Sequence, residues 1–134
     1  MKKTFDLVFL IDDDLKFSFI TKTLLSKISF AREIVDYSDA SVALDELKKN
    51  TQNGSGKLPD IIFLDLNMPG MDGWDFLEEY KSLPASFRNE CKLYVLSSSI
   101  DPVDKTKSLS YNFVTDFITK PLAREKVNSI QENN

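Results

Sequence analysis

The chain has 134 residues, 42% of them hydrophobic and 28% charged, with a formal net charge of −4, which fits one globular domain with a real core. The sequence pI near 4.8 and the scattered Lys and Arg residues argue against direct nucleic-acid binding, which needs a basic face, and no run approaches transmembrane length. The lack of His excludes a His-based triad, a His metal site and a phosphohistidine role, and the single Cys91 excludes an internal disulfide, which suits a cytoplasmic protein.

Met1-Lys2-Lys3 followed by the apolar run Phe5–Ile11 has the outline of a leader peptide. Asp6 interrupts that run, Asp12-Asp13-Asp14 end it, and no small-residue cleavage site follows, so the run reads as a first β-strand. A helix striped by Phe17, Ile20, Leu24 and Ile28 comes next, with Asp14 placed to cap it. A second strand, Glu33–Tyr37, leads through Ser38 and Asp39 into a helix whose stripe is Ala40, Ala43, Leu44 and Leu47. Lys48 and Lys49 are expected in its last turn, where cations suit the helix dipole, and Thr51–Lys57 reads as a loop.

The third strand, Ile61–Asp65, is apolar until it ends on a carboxylate, and the turn Leu66-Asn67-Met68-Pro69-Gly70-Met71-Asp72-Gly73 follows at once. Asp72 can cap a third helix marked by Phe76, Leu77 and Tyr80. Pro84–Cys91 precedes a fourth strand, Leu93–Ser97. Asp101-Pro102-Val103-Asp104 then places a capping acid, a first-turn proline and another acid at the start of a fourth helix, Pro102 to about Tyr111, whose apolar stripe is the weakest. A fifth strand, Asp116–Thr119, ends at Lys120-Pro121, and Ala123, Val127 and Ile130 mark a fifth helix.

Strands alternating with helices predict an α/β three-layer sandwich with a parallel sheet between helix layers. Such sheets bind ligands beyond the carboxyl ends of their strands, and Asp12, Asp65, Ser97 and Lys120 all fall at or just past those ends. Asp12, Asp13 and Asp65 then converge. Two such charges about 4 Å apart repel by roughly 4 kcal/mol at an effective dielectric of about 20, so the cluster takes up protons or recruits a cation, and oxygen donors favour Mg²⁺. Asp65 is the nucleophile candidate for phosphoryl transfer, which needs positioning and charge neutralisation more than intrinsic nucleophilicity. Asn67 offers a backbone carbonyl to the metal, Ser97 a hydroxyl to a phosphoryl oxygen, and Lys120 an ammonium aimed inward by the extended backbone that Pro121 imposes. Phe117 reads equally as core or as a switch residue.

Leu10-Ile11-Asp12-Asp13-Asp14, Leu64 to Gly73, Val95-Leu96-Ser97-Ser98 and Phe117-Ile118-Thr119-Lys120-Pro121, in this order and spacing, resemble the receiver domain of two-component response regulators, of the single-domain, chemotaxis-regulator-like kind. The resemblance implies a flavodoxin-like (βα)5 fold with sheet order 2-1-3-4-5. It implies that Asp65 is the phosphoacceptor of a sensor histidine kinase and that Asp12, Asp13, Asp65 and the Asn67 carbonyl bind Mg²⁺. Ser97 takes the switch Ser/Thr place, Lys120 that of the invariant lysine, and Phe117 that of the rotating aromatic, without the hydroxyl that a Tyr there would carry. The expectation is a single receiver domain over residues 1–134 with no output domain, monomeric or dimerising on phosphorylation, and no enzyme beyond assisting its own phosphorylation and dephosphorylation. Phosphorylation would switch a downstream protein target at the face of the fourth helix, fifth strand and fifth helix, or the group would pass to a histidine phosphotransfer protein. The long segment before strand three and Pro84–Cys91 also resemble the small regulators that partner phytochrome-type kinases. An aspartate-nucleophile phosphatase would want a second Asp two residues after Asp65, where Asn67 stands.

Overall fold

A computed structural model describes residues 2–54 and 56–134. Among them, β1 (Phe5–Ile11), α1 (Leu15–Lys27), β2 (Ala31–Tyr37), α2 (Ala40–Asn53), β3 (Ile61–Leu64), α3 (Gly73–Tyr80), α4 (Ala85–Arg88), β4 (Lys92–Ser97), α5 (Pro102–Leu109), β5 (Val114–Thr119) and α6 (Arg124–Glu132) follow one another. The five strands form one parallel sheet in the order β2-β1-β3-β4-β5, the flavodoxin-like order that the motifs imply. No helix among the described residues is long and apolar enough to cross a membrane.

The continuous apolar runs become central strands because both of their faces are covered. Leu7, Phe9 and Ile11 of β1, Ile62 and Leu64 of β3, and Leu93 and Val95 of β4 pack with Leu44 and Leu47 of α2 and Phe76, Leu77 and Tyr80 of α3. Val8, Leu10, Ile61, Phe63, Tyr94 and Leu96 face the other way, against Leu25 of α1 and Val127 and Ile130 of α6. The edge strands β2 and β5 are only partly covered. Cys91 is buried and free at the start of β4, and burial pushes its thiol up to about 12.

The helix starts follow their capping signals. Asp14 accepts from the Phe17 N–H, Asp39 from Ser41, Asp101 from Val103, and Asp72 and Asp75 form a reciprocal capping box.

Four expectations need correction. Ile20 belongs to no buried stripe: α1 turns Ser18, Thr21 and Leu25 inward and leaves Ile20 and Phe19 exposed. α2 runs on to Asn53, so Lys48 and Lys49 lie a turn before its end and Thr51–Asn53 are not loop. Gly54, in the left-handed region at φ 63°, ends it; Ser55, also in the expected loop, lies outside the described residues. Ala123 is the exposed residue before α6, and Leu122 is buried there instead. The Pro84–Cys91 segment contains the extra helical turn α4, so the expected fourth and fifth helices are α5 and α6.

Gly73 makes the turn after β3 possible. Its N–H donates to the Leu66 carbonyl at 3.0 Å. A Cβ at this position would lie 2.4 Å from the Asp65 carbonyl oxygen and 2.6 Å from the Leu66 Cα, both backbone atoms that cannot swing aside. Gly70 supplies the left-handed bend of the same turn at φ 71°. Gly73→Ala is expected to destabilise the fold by about 1–3 kcal/mol, the usual cost of overpacking. A denaturant midpoint equal to the parent's would contradict this close approach.

Candidate functional site

The sheet register sets the site. Ile11 of β1 pairs with Leu64 of β3, and Ser97 of β4 with Thr119 of β5. Ladder hydrogen bonds continue one residue past the strands: the Asp65 N–H donates to the Ile11 carbonyl, the Asp12 N–H to Tyr37, and the Lys120 N–H to Ser97, at 2.9, 2.9 and 2.8 Å. Asp12, Asp65 and Lys120 therefore start from anchored backbone at the same edge of the sheet, just past β1, β3 and β5.

Carboxylate oxygens of Asp12, Asp13 and Asp65 lie within 4.8 Å of one another, with Asp12 and Asp65 buried and Asp13 exposed. The Lys120 ammonium is 2.6 Å from Asp12 Oδ2 and 3.6 Å from Asp65 Oδ1, and its side chain is 14% exposed. The short Asp12 contact is an ion pair without hydrogen-bonding geometry, so the buried Oδ2 has no directed donor. Oδ1 of the same group accepts from the Asp14 N–H at 2.9 Å. Burial first, then the Asp12 charge, pushes the Asp65 carboxyl up to about 6. Lys120 and a hydrogen bond from the Asn67 N–H oppose the rise. The Lys120–Pro121 peptide is cis.

The donor set fits a hard divalent cation. It offers three carboxylates, one of them open to solvent, a buried oxygen without a directed partner, and a charge excess that one positive ion does not remove. Of the expected site residues, Asp12, Asp13, Asp65 and Lys120 come together. Asn67 meets the cluster through its N–H.

Ser97 is fully buried, but its hydroxyl is hydrogen-bonded to the loop and not to Asp65. Its Oγ accepts from the Ser99 N–H at 3.1 Å. The Ser99 hydroxyl in turn accepts from the Asp101 N–H and donates to Asp104 Oδ2 at 2.6 Å. Phe117 is half-buried and packs against the core on the α2–α3 side.

Two contacts lie outside the sequence reading. Lys120 Nζ sits 4.2 Å from the centre of the Phe17 ring, and Lys107 Nζ of α5 sits 4.3 Å from that of Trp74 on α3. Its spacing places Phe17 in the apolar stripe of the first helix. The signal that it also reaches the site is its place on the first turn after the Asp12–Asp14 run.

The comparisons agree with this geometry. Residues 8–131 match the family model described as the response regulator receiver domain. A two-component response regulator from Cytophaga hutchinsonii shares 30% identity and superposes with a TM-score of 0.87, covering 98% of this chain and 97% of that one. A phosphorylated cyanobacterial phytochrome response regulator, RcpA, shares 27% identity with a TM-score of 0.75, over 96% of this chain and 89% of its own. The two-component response regulator ARR14 of Arabidopsis thaliana is 26% identical over 94% of this chain, which spans 30% of the plant protein's length. A parallel 2-1-3-4-5 sheet, an acid cluster and a lysine at its carboxyl edge, and a family match over nearly the whole sequence agree: the chain belongs to the response regulator receiver domain family of two-component systems.

Proposed function

We propose that Asp65 accepts a phosphoryl group from a histidine kinase or phosphotransfer protein and that the phosphorylated chain changes its affinity for a protein partner. The observation that carries this reading is the grouping of three carboxylates with one nearly buried ammonium at the sheet's carboxyl edge. A carboxylate oxygen of Asp65 forms a bond to phosphorus while the bond from phosphorus to the donor's nitrogen breaks. Asp12, Asp13, Asp65 and the Asn67 carbonyl would hold Mg²⁺, which, when bound, offsets the charge on the transferring group. Lys120, already between Asp12 and Asp65, neutralises a phosphoryl oxygen. Ser97 donates its hydroxyl proton to another, since its Oγ now only accepts.

The route outward runs through Ser99. Movement of Ser97 toward the phosphoryl group disturbs the Ser97–Ser99–Asp104 hydrogen bonds and so the first turn of α5. That helix buries only Ser108 and exposes Val103 and Leu109, so few apolar contacts hold it in place. Shifting such an element from 1:99 to 99:1 takes about 5.5 kcal/mol of differential interaction, a task for charge-assisted contacts to a new dianion. The α5–β5–α6 face is thus the proposed output surface, with Phe117 repacking beneath it. On the kinase side, Leu15, Phe19 and Ile20 leave an apolar patch on the first turns of α1, beside the pocket.

Incubation with acetyl phosphate and Mg²⁺ should add the mass of one phosphoryl group to the intact chain and none to Asp65→Asn. Labelling of that variant would remove Asp65 as the acceptor. The same substitution should raise the thermal midpoint by a few degrees at neutral pH. Because the folded state raises this carboxyl from 3.8 to about 6, its ionisation opposes folding. That cost is fully present above pH 6, shrinks as the pH falls through 6, and is gone below 3.8. An unchanged midpoint at pH 7.5 would contradict the crowding. Trp74 begins α3 directly after the Asp65 turn and lies under Lys107 of α5, so its emission should change on adding Mg²⁺ with a phosphoryl mimic. A spectrum unaltered at saturation would place both helices outside the response.

A further inference from the structure

We infer that Phe17 is a positioning residue for Lys120, its ring face fixing the ammonium against Asp12 and Asp65. This rests on the phosphoacceptor reading of Asp65. Lys120 carries its ammonium, with three N–H donors, on a flexible four-carbon stem, and its two carboxylate neighbours lie at 2.6 and 3.6 Å. The ring of Phe17 stands 4.2 Å from Nζ and supplies a further wall. A ring face at this distance attracts a cation through its quadrupole, and the attraction grows when water is excluded; the Lys120 side chain is only 14% exposed.

The ring covers part of the ammonium without competing for its protons, because it accepts no directed hydrogen bond as strong as a carboxylate's. The ammonium stays beside both acids, within reach of the place where a phosphoryl oxygen must arrive. Asp14 holds the ring there by capping α1 on the Phe17 N–H at 3.1 Å. The run Asp12-Asp13-Asp14 therefore supplies carboxylates and also fixes the helix that carries the ring.

An apolar side chain of similar size would pack as well but would offer no negative ring face. Phe17→Leu separates these two roles, and Phe17→Tyr restores the face. The experiment follows the intact mass of the parent, Phe17→Leu and Phe17→Tyr over time with acetyl phosphate and Mg²⁺, with thermal midpoints and Mg²⁺ affinity recorded for each. The expected result is a phosphorylation rate lower by about 3–10-fold in Phe17→Leu, the range a partly desolvated cation–π contact supports, and within about twofold of the parent in Phe17→Tyr. Midpoints and Mg²⁺ affinities should stay close to the parent's in both.

Equal rates in the parent and Phe17→Leu would overturn the inference, as would equal losses in both variants, or a loss that tracks the thermal midpoint. A parent chain that gains no mass would overturn the phosphoacceptor reading and the inference with it. A parent that is labelled while Phe17→Leu keeps pace overturns the inference alone.

Discussion

Charge crowding at the sheet's carboxyl edge is the constraint that the rest of this structure serves. Three carboxylates within 4.8 Å, two of them buried, cannot all be ionised cheaply. The raised Asp65 carboxyl is the direct sign of the strain, and Lys120 relieves only part of it. Side chains free to move would separate. They stay together because the ladder hydrogen bonds extend past the strands and tie the backbones of Asp12, Asp65 and Lys120 to their neighbours. The burial of Phe9, Ile11, Leu64 and Val95 on one face, and of Leu10, Phe63 and Leu96 on the other, holds those strands in register. Hydrophobic burial in the sheet thus offsets a local electrostatic cost at its edge.

The same crowding makes the pocket responsive. A group that adds charge and oxygen acceptors there must draw in every available donor. At the end of the adjacent strand β4, the buried Ser97 hydroxyl accepts from Ser99 and has a proton left to donate. Ser97 is coupled through Ser99 to Asp104 on α5, and α5 touches α3 through Lys107 over Trp74. Where the chain leaves α5, Tyr111 donates to Glu78 of α3 and stacks near Phe113. α3 itself begins at Gly73, packed directly on the Asp65 carbonyl. Two chains of contacts therefore connect the surroundings of the site to α5, one through the β4–α5 loop and one through the β3–α3 turn, and α5 has few buried side chains.

Much of this is legible in the sequence, for reasons that also explain what is not. The strand runs are short and nearly all apolar, so Phe5–Ile11 is read to the residue and Asp12, Asp65, Ser97 and Lys120 fall where the sheet ends. The α2 boundary is misread because the polar residues Asn50 and Thr51 look like loop. In the fold Thr51 Oγ1 bonds back to the Leu47 carbonyl and Asn50 reaches the Lys57 carbonyl, which satisfies them inside or beside the helix. Gly54 was the better stop signal. α4 is a single turn held by its own backbone bonds and leaves almost no periodic trace. The partners of Ser97 and Phe17 are tertiary facts that no local pattern encodes.

The helix α1 shows how the site sets the fold around it. Residues advance about 100° around a helix. A buried stripe centred on Phe17, Ile20, Leu24 and Ile28 would be the apolar choice. The helix instead lies rotated by roughly 90° from that choice, and buries Ser18, Thr21 and Leu25 while Ile20 stands 55% exposed. Asp14 fixes the first turn by capping it, and Phe17 is held over Lys120. Ile20, about 60° from Phe17 on the side away from Ser18 and Thr21, then faces outward, and the small Ser18 and Thr21 lie between helix and sheet. The exposure of Ile20 accompanies the placing of Phe17 over Lys120, whereas Phe19 lies outward with either face of α1 turned to the sheet. Together with Leu15 they leave an exposed hydrophobic surface on the first turns of α1.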